Sequence, residues 1–151
     1  VTALHTAAGP DLTAAQIYAL LKLRVDVFVV EQECPYPELD GRDLAPDTVH
    51  LWWQPADAPE PLACLRILPA DASRPVRIGR VCTAKDARGT GLGGKLMAAA
   101  LAHIGDVESV LDAQVQAQGM YARFGYVPVG DPFDEDGIPH IAMRRPAPSR
   151  A

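Results

Sequence analysis

At 151 residues the chain is long enough for one domain with a real core, and 48% apolar and 22% charged residues are ordinary for a globular protein. A net charge of -5 argues against a grip on nucleic-acid phosphates, and no apolar run of about 18 residues is present to cross a membrane. Cys34, Cys64 and Cys82 are odd in number and widely spaced, without a CxxC pair, so neither a metal site nor a disulfide framework is expected. Reduced thiols and the lack of a signal-peptide layout lead to the expectation of a cytoplasmic protein.

In chain order, a short strand is predicted near residues 3–7. Thr13 and Gln16 have capping-box spacing, and Ile17, Leu20, Leu21 and Phe28 follow at helical spacing, with Arg24 near the apolar edge. Residues 32–47 hold Pro35, Pro37, Gly41 and Pro46 and read as a loop with one short helical turn. Strands are expected over 49–54, 62–68 and 76–83. Gly79 inside the third suggests a bulge or a close backbone approach. A helix then presents Leu92, Leu96, Met97, Ala100, Leu101 and Ile104 on one side. A strand over 107–114, a short helix over 117–124 capped by Gly125, and strands over 126–129 and 138–143 complete the pattern. The order predicts one domain, a mixed α/β sheet of six or seven strands, with a flexible tail over 146–151.

Residues 88–93, Arg-Gly-Thr-Gly-Leu-Gly, lie directly before the second long helix. Glycine lets the backbone approach an anion, and the helix start offers free N–H groups and a positive dipole end. The loop is therefore a candidate diphosphate socket, and three motifs compete for it. A P-loop requires Ser or Thr after Lys95, where Leu96 stands. A dinucleotide fingerprint requires the glycines directly after the strand, whereas residues 85–88 intervene. The third is Arg88-x-x-Gly91-x-Gly93, whose spacing from the strand and helix agrees throughout.

That third pattern resembles motif A of the GNAT superfamily of acyl-CoA N-acyltransferases. Other segments extend the resemblance to its ElaA-like branch over about residues 10–145. They are Leu23-Arg24, Val27 to Gln32, Cys34-Pro35-Tyr36, Asp40-Gly41, Asp43, His50-Leu51, Ile78 to Val81, Ala113-Gln114, Tyr121, Phe124-Gly125-Tyr126 and Glu135 to Ile141. The resemblance implies a GNAT fold, with mostly antiparallel strands flanked by about four helices. It implies that the backbone of Val81, Cys82 and Thr83 pairs with the pantetheine arm of acetyl-CoA. It further implies that the N–H groups of Arg88, Gly89, Thr90, Gly91, Leu92 and Gly93 hold the diphosphate, and that Tyr121 protonates the departing sulfur. A homodimer is compatible with it. Met120 departs from a position where an aromatic is common, and Gln116 from one that is often His.

The implied reaction is attack of a neutral primary amine, on a small molecule or a peptide, on the thioester carbonyl. The carbonyl oxygen needs a donor, and a strand N–H near Val81 is placed to be one. An amine of pKa about 10.4 needs a base or water chain at neutral pH. Glu31 and His140 are the candidates, with His50 behind them. A solvated carboxylate and a structural histidine are the competing readings for Glu31 and His140. Asp131, Asp134, Glu135 and Asp136 form an acidic stretch able to attract a cationic acceptor, or simply a solvated face. The rivals are a coenzyme A-binding module without turnover and a different nucleotide-dependent enzyme.

Overall fold

The computed structural model describes residues 2–148. Seven strands form one sheet in the order β1-β2-β3-β4-β5-β7-β6: β1 Thr2–Ala8, β2 Val49–Pro55, β3 Ala63–Leu68, β4 Val76–Thr83, β5 Ser109–Gln114, β6 Val127–Glu135 and β7 Ile138–Arg145. Every neighbouring pair is antiparallel except β4–β5, which is parallel. The α-helices are α1 Ala14–Val25, α2 Leu92–Ile104 and α3 Gln118–Ala122. The flexible tail expected over 146–151 falls partly outside the described residues, which end at 148.

Side-chain alternation assigns the two faces of the sheet. Leu51, Ala63, Leu65, Ile78, Leu111 and Ala113 pack against Leu92, Leu96, Met97 and Ala100 of α2. On the opposite face Trp52, Cys64 and Cys82 meet Leu20 and Leu23 of α1, with Val27 just beyond it. β3 is buried along its whole length because it is covered on both sides.

Thr13 caps α1 as its spacing predicts: its Oγ1 accepts from Gln16 N at 3.1 Å, and Gln16 Oε1 accepts from Thr13 N at 2.9 Å. The helix does not run as α to Phe28. It changes at Asp26 into a π-helical segment, Asp26–Glu31, a widened turn that alters the facing of Phe28 and Gln32. Residues 32–47 contain no helix, only single hydrogen-bonded turns, among them Ala45 N to Arg42 O at 3.2 Å. The predicted strand over 126–129 is the start of the much longer β6, which is exposed throughout.

Candidate active site

β4 and β5 share only two register pairs, Val76–Ser109 and Arg77–Val110, and then diverge. Beyond Arg77 the β5-facing edge of β4 has no strand partner. A bulge sharpens the divergence: Cys64 opposes Cys82 while Arg66 opposes Gly79, which leaves one extra residue in β4. Gly79 is not the left-handed residue of this bulge. Arg80 is, at φ +54°, although a non-glycine residue pays a steric cost there. A Cβ on Gly79 would meet nothing within 4 Å, so the glycine widens the cleft.

The cleft opens into a cavity of about 350 Å³. Phe28, Gln32 and Tyr36 line it from the α1–β2 side, Val81 from β4, Tyr121 from α3, and His140 from β7. Tyr121 is 7% exposed, and its hydroxyl has no hydrogen-bond partner among the described residues. Burial, reinforced by Tyr126 and Cys82, pushes its pKa up to about 12. His140 stacks on Phe133 with ring centroids 6.1 Å apart. Its Nδ1 lies 2.7 Å from the Ile138 carbonyl oxygen. A carbonyl only accepts, so Nδ1 carries the hydrogen and Nε2 keeps its lone pair in the neutral ring.

At the other end of β4, Gly89 and Gly91 adopt φ +77° and +81°, where only glycine is unstrained. Gly91 is the N-cap of α2. A Cβ on Gly89, Gly91 or Gly93 would meet nothing within 4 Å. The N–H groups of residues 89–94 find no acceptor among the described residues, whereas Lys95 N already donates to Gly91 O at 3.1 Å. Thr90 Oγ1 donates to Ala87 O at 2.5 Å and braces the loop. The result is an open anion cradle at a helix start. The side chains of Leu92 and Cys82 turn inward: Leu92 is buried in the α2-side core, and Cys82 lies against Cys64 with sulfurs 3.7 Å apart.

Arg88 differs from the expectation: its N–H donates to Lys85 O at 3.5 Å, and its side chain does not face the cradle. Its Nε donates to Thr83 O at 3.1 Å, and its terminal nitrogens donate to both Glu31 carboxylate oxygens at 2.5 and 2.8 Å. The bidentate guanidinium holds the Glu31 carboxyl below its ordinary range. Glu31 borders a second cavity, of about 220 Å³, between α1 and residues 84–85, and does not line the one that holds Tyr121. His50 is also elsewhere: its buried Nε2 lies 2.8 Å from the Asp43 carbonyl oxygen. Of the candidate bases, only His140 shares a cavity with Tyr121.

Residues 64–146 match the family model of the acetyltransferase (GNAT) domain. The chain belongs to the GNAT family. It is 51% identical over 146 residues to a UPF0039 protein of Mycobacterium tuberculosis, covering 95% of this chain and 93% of that one. It superposes on the crystal structure of an acyl-CoA N-acyltransferase from Pseudomonas aeruginosa with a TM-score of 0.89 and 45% identity, covering 96% and 99% of the two chains. The crystal structure of Escherichia coli ElaA gives the same TM-score at 40% identity and the same coverage. The ElaA-like resemblance is thereby established.

This GNAT chain also carries a buried charge network that the periodicity alone does not announce. Arg24, 1% exposed, binds Glu38 and Asp43. Arg66 binds Asp40 and Asp43. Arg80 donates to Glu38 Oε2 at 2.7 Å and stands over the Tyr36 ring, whose hydroxyl donates to Glu38 Oε1. The network ties the loop after the π segment to α1, β3 and the bulge, and so fixes one wall of the cavity. The readable signal was Arg24, four residues from both Leu20 and Phe28 on the buried side of its helix.

Proposed function

We propose that the protein is an N-acetyltransferase that moves the acetyl group of acetyl-CoA to a primary amine, by direct attack in a ternary complex. The observation that carries this reading is one cleft with two differently built ends. The glycine cradle stands at one end and the Tyr121–His140 cavity at the other, joined by an unpartnered strand edge. The residues fit a diphosphate-bearing cofactor, since the cradle offers unpaired N–H donors and no Cβ obstructs them. Bound acetyl-CoA supplies the activated thioester.

The chain's own groups do the rest. The free edge of β4 takes the pantetheine arm as an added strand. An edge N–H near Val81 donates to the carbonyl oxygen as charge develops there. Tyr121 donates its O–H to the departing sulfur. His140 accepts a proton from the amine. Cys82 favours direct transfer by being a poor nucleophile: contact with Cys64 and burial raise its pKa well above that of a free thiol.

Thermal shift tests the donor. Acetyl-CoA should raise Tm in a concentration-dependent manner, while ATP and NAD should not. Stabilisation by ATP or NAD without stabilisation by acetyl-CoA would contradict the proposal.

A further inference from the structure

The cavity that holds Tyr121 and His140 continues along the splayed strands to a second, differently charged end. His140 pairs with Gln114 at the end of β5, whereas Arg77 pairs with Val110 near its start. Four residues of β5 separate the two pairs, a strand distance of roughly 13 Å. Away from the β6–β7 hairpin the cavity is lined by Arg42, Arg66 and Arg77, together with Asp40 and Asp112. Arg66 stands opposite Gly79 in the β3–β4 register, where the missing side chain leaves open space.

The charges at this end do not balance. Arg24, Arg66 and Arg80 share Glu38, Asp40 and Asp43, so three guanidiniums meet three carboxylates. Arg77 makes one contact, to Asp112 Oδ2 at 3.2 Å. The Arg42 guanidinium lines the cavity and has no protein partner among the described residues. One positive charge is left over, in a chain whose net charge is -5.

The backbone beneath that charge is fixed. Arg42 N donates to Asp40 Oδ1 at 3.1 Å, and its carbonyl oxygen accepts from Thr48 Oγ1 at 2.8 Å and from Ala45 N at 3.2 Å. An ordered loop therefore presents an exposed, unpaired guanidinium on the cavity wall, so little backbone ordering is left to be done on binding.

We infer that the acceptor amine carries a carboxylate on a spacer several atoms long, and that Arg42 and the remaining donors of Arg77 bind that carboxylate. The inference rests on the acyl-transfer reading and narrows its second substrate. A guanidinium fork matches a carboxylate in shape as well as in charge. Glu135 and Asp136 line the hairpin end and repel an oxyanion from it, so only the arginine end favours one. A surplus of one charge suits a monoanion. A phosphate monoester, at about −1.5 to −2 near pH 7, is under-neutralised beside Asp40 and Asp112. The span of β5 sets the length: an α-amino acid, with its two charged groups on one carbon, does not reach from the acylation end to Arg77.

The test gives the full chain three acceptors: a six-carbon ω-amino carboxylate, its uncharged carboxamide and its phosphonate analogue. KM for the carboxylate should lie about 3- to 10-fold below that for the carboxamide, as expected of a partly exposed charged contact. Arg42→Gln should abolish this preference. Asp112→Asn, which frees Arg77 and adds a second surplus charge, should widen it, an effect that a merely structural role would not produce. The preference should fall as the spacer is shortened. In ¹⁵N spectra without acetyl-CoA, the carboxylate should shift the Arg42 side-chain signal saturably and the carboxamide should not.

Equal KM values for carboxylate and carboxamide, a preference that survives Arg42→Gln or narrows in Asp112→Asn, or a lower KM for the phosphonate than for the carboxylate would overturn the inference. Absence of amide from every acceptor would instead defeat the acyl-transfer reading, and the Arg42 signal would then decide the carboxylate site alone.

Discussion

Replacing Tyr121 with Phe removes one oxygen and little else. The hydroxyl has no protein partner among the described residues, so the fold loses no hydrogen bond. A free thiol has a pKa of about 8.5, whereas burial holds the Tyr121 phenol up to about 12. Complete proton transfer from this phenol to a departing thiolate is therefore uphill by roughly 3.5 pKa units, or about 5 kcal/mol. Tyr121 should act as a hydrogen-bond donor to the developing thiolate rather than as a full acid. Such a bond to a charged partner contributes about 1.5–3 kcal/mol, so kcat should fall about 10- to 150-fold in Tyr121→Phe. Acetyl-CoA affinity by calorimetry and Tm should both stay near wild type. The phenol remains protonated through pH 10, so wild-type kcat should show no loss up to that pH from its ionisation. Thiol release followed with a colorimetric disulfide reagent measures the rate. Equal turnover in the variant would remove Tyr121 from the mechanism, and a loss of rate matched by a loss of acetyl-CoA affinity would reassign it to binding.

Gly93→Asp separates the fold from the ligand. The new Cβ meets nothing within 4 Å, and a carboxylate in the first turn of α2 complements the helix dipole. Tm should hold or rise, while acetyl-CoA affinity measured by calorimetry falls at least about 10-fold by charge repulsion; unchanged affinity would move the diphosphate elsewhere. Arg24→Met leaves Glu38 and Asp43 under-neutralised in the interior and should cost about 3–5 kcal/mol in urea unfolding. Asp40 is held below the ordinary carboxylate range chiefly by its hydrogen bonds from Arg66. Its contribution is thus present above the unfolded pKa of about 3.9 and is lost as pH falls through the lower folded value. Asp40→Asn should therefore be less stable than wild type at pH 6, with the gap closing below about pH 4 in denaturant titrations.

The chain reads most clearly where the determinants are local. The Thr13–Gln16 box, the α2 stripe and the β-branched run of β4 each stand within a few residues of sequence. Where partners are distant, local reading stops. The π segment follows an unbroken helical pattern, and nothing in its residues marks the change of hydrogen-bond register. β6 beyond Val129 contains Gly130, Pro132 and three acids, which read as a loop; pairing with β7, not burial, makes it a strand. Gly79 suggests a bulge or a close backbone approach, but the left-handed residue is Arg80, held by contacts with Glu38 and Tyr36 from the loop.

The glycine loop that opens α2 and a tyrosine on the short helix α3 are legible by spacing and resemblance. Glu31 was not, because the residue that engages it, Arg88, is 57 positions away. That pairing lowers the carboxylate's basicity and separates it from the cavity. The same contact changes the role of the arginine that opens the glycine motif. Its N–H turns back to the Lys85 carbonyl oxygen, while its side chain ties the loop to the π segment.

The proposed acyl transfer is tested most directly by turnover. Purified protein incubated with acetyl-CoA and a panel of alkylamines, with amide identified by mass spectrometry, should release one free thiol per amide formed, and only when both substrates are present. Saturable acetyl-CoA binding with no amide from any amine would contradict it and leave a coenzyme A-binding module in its place.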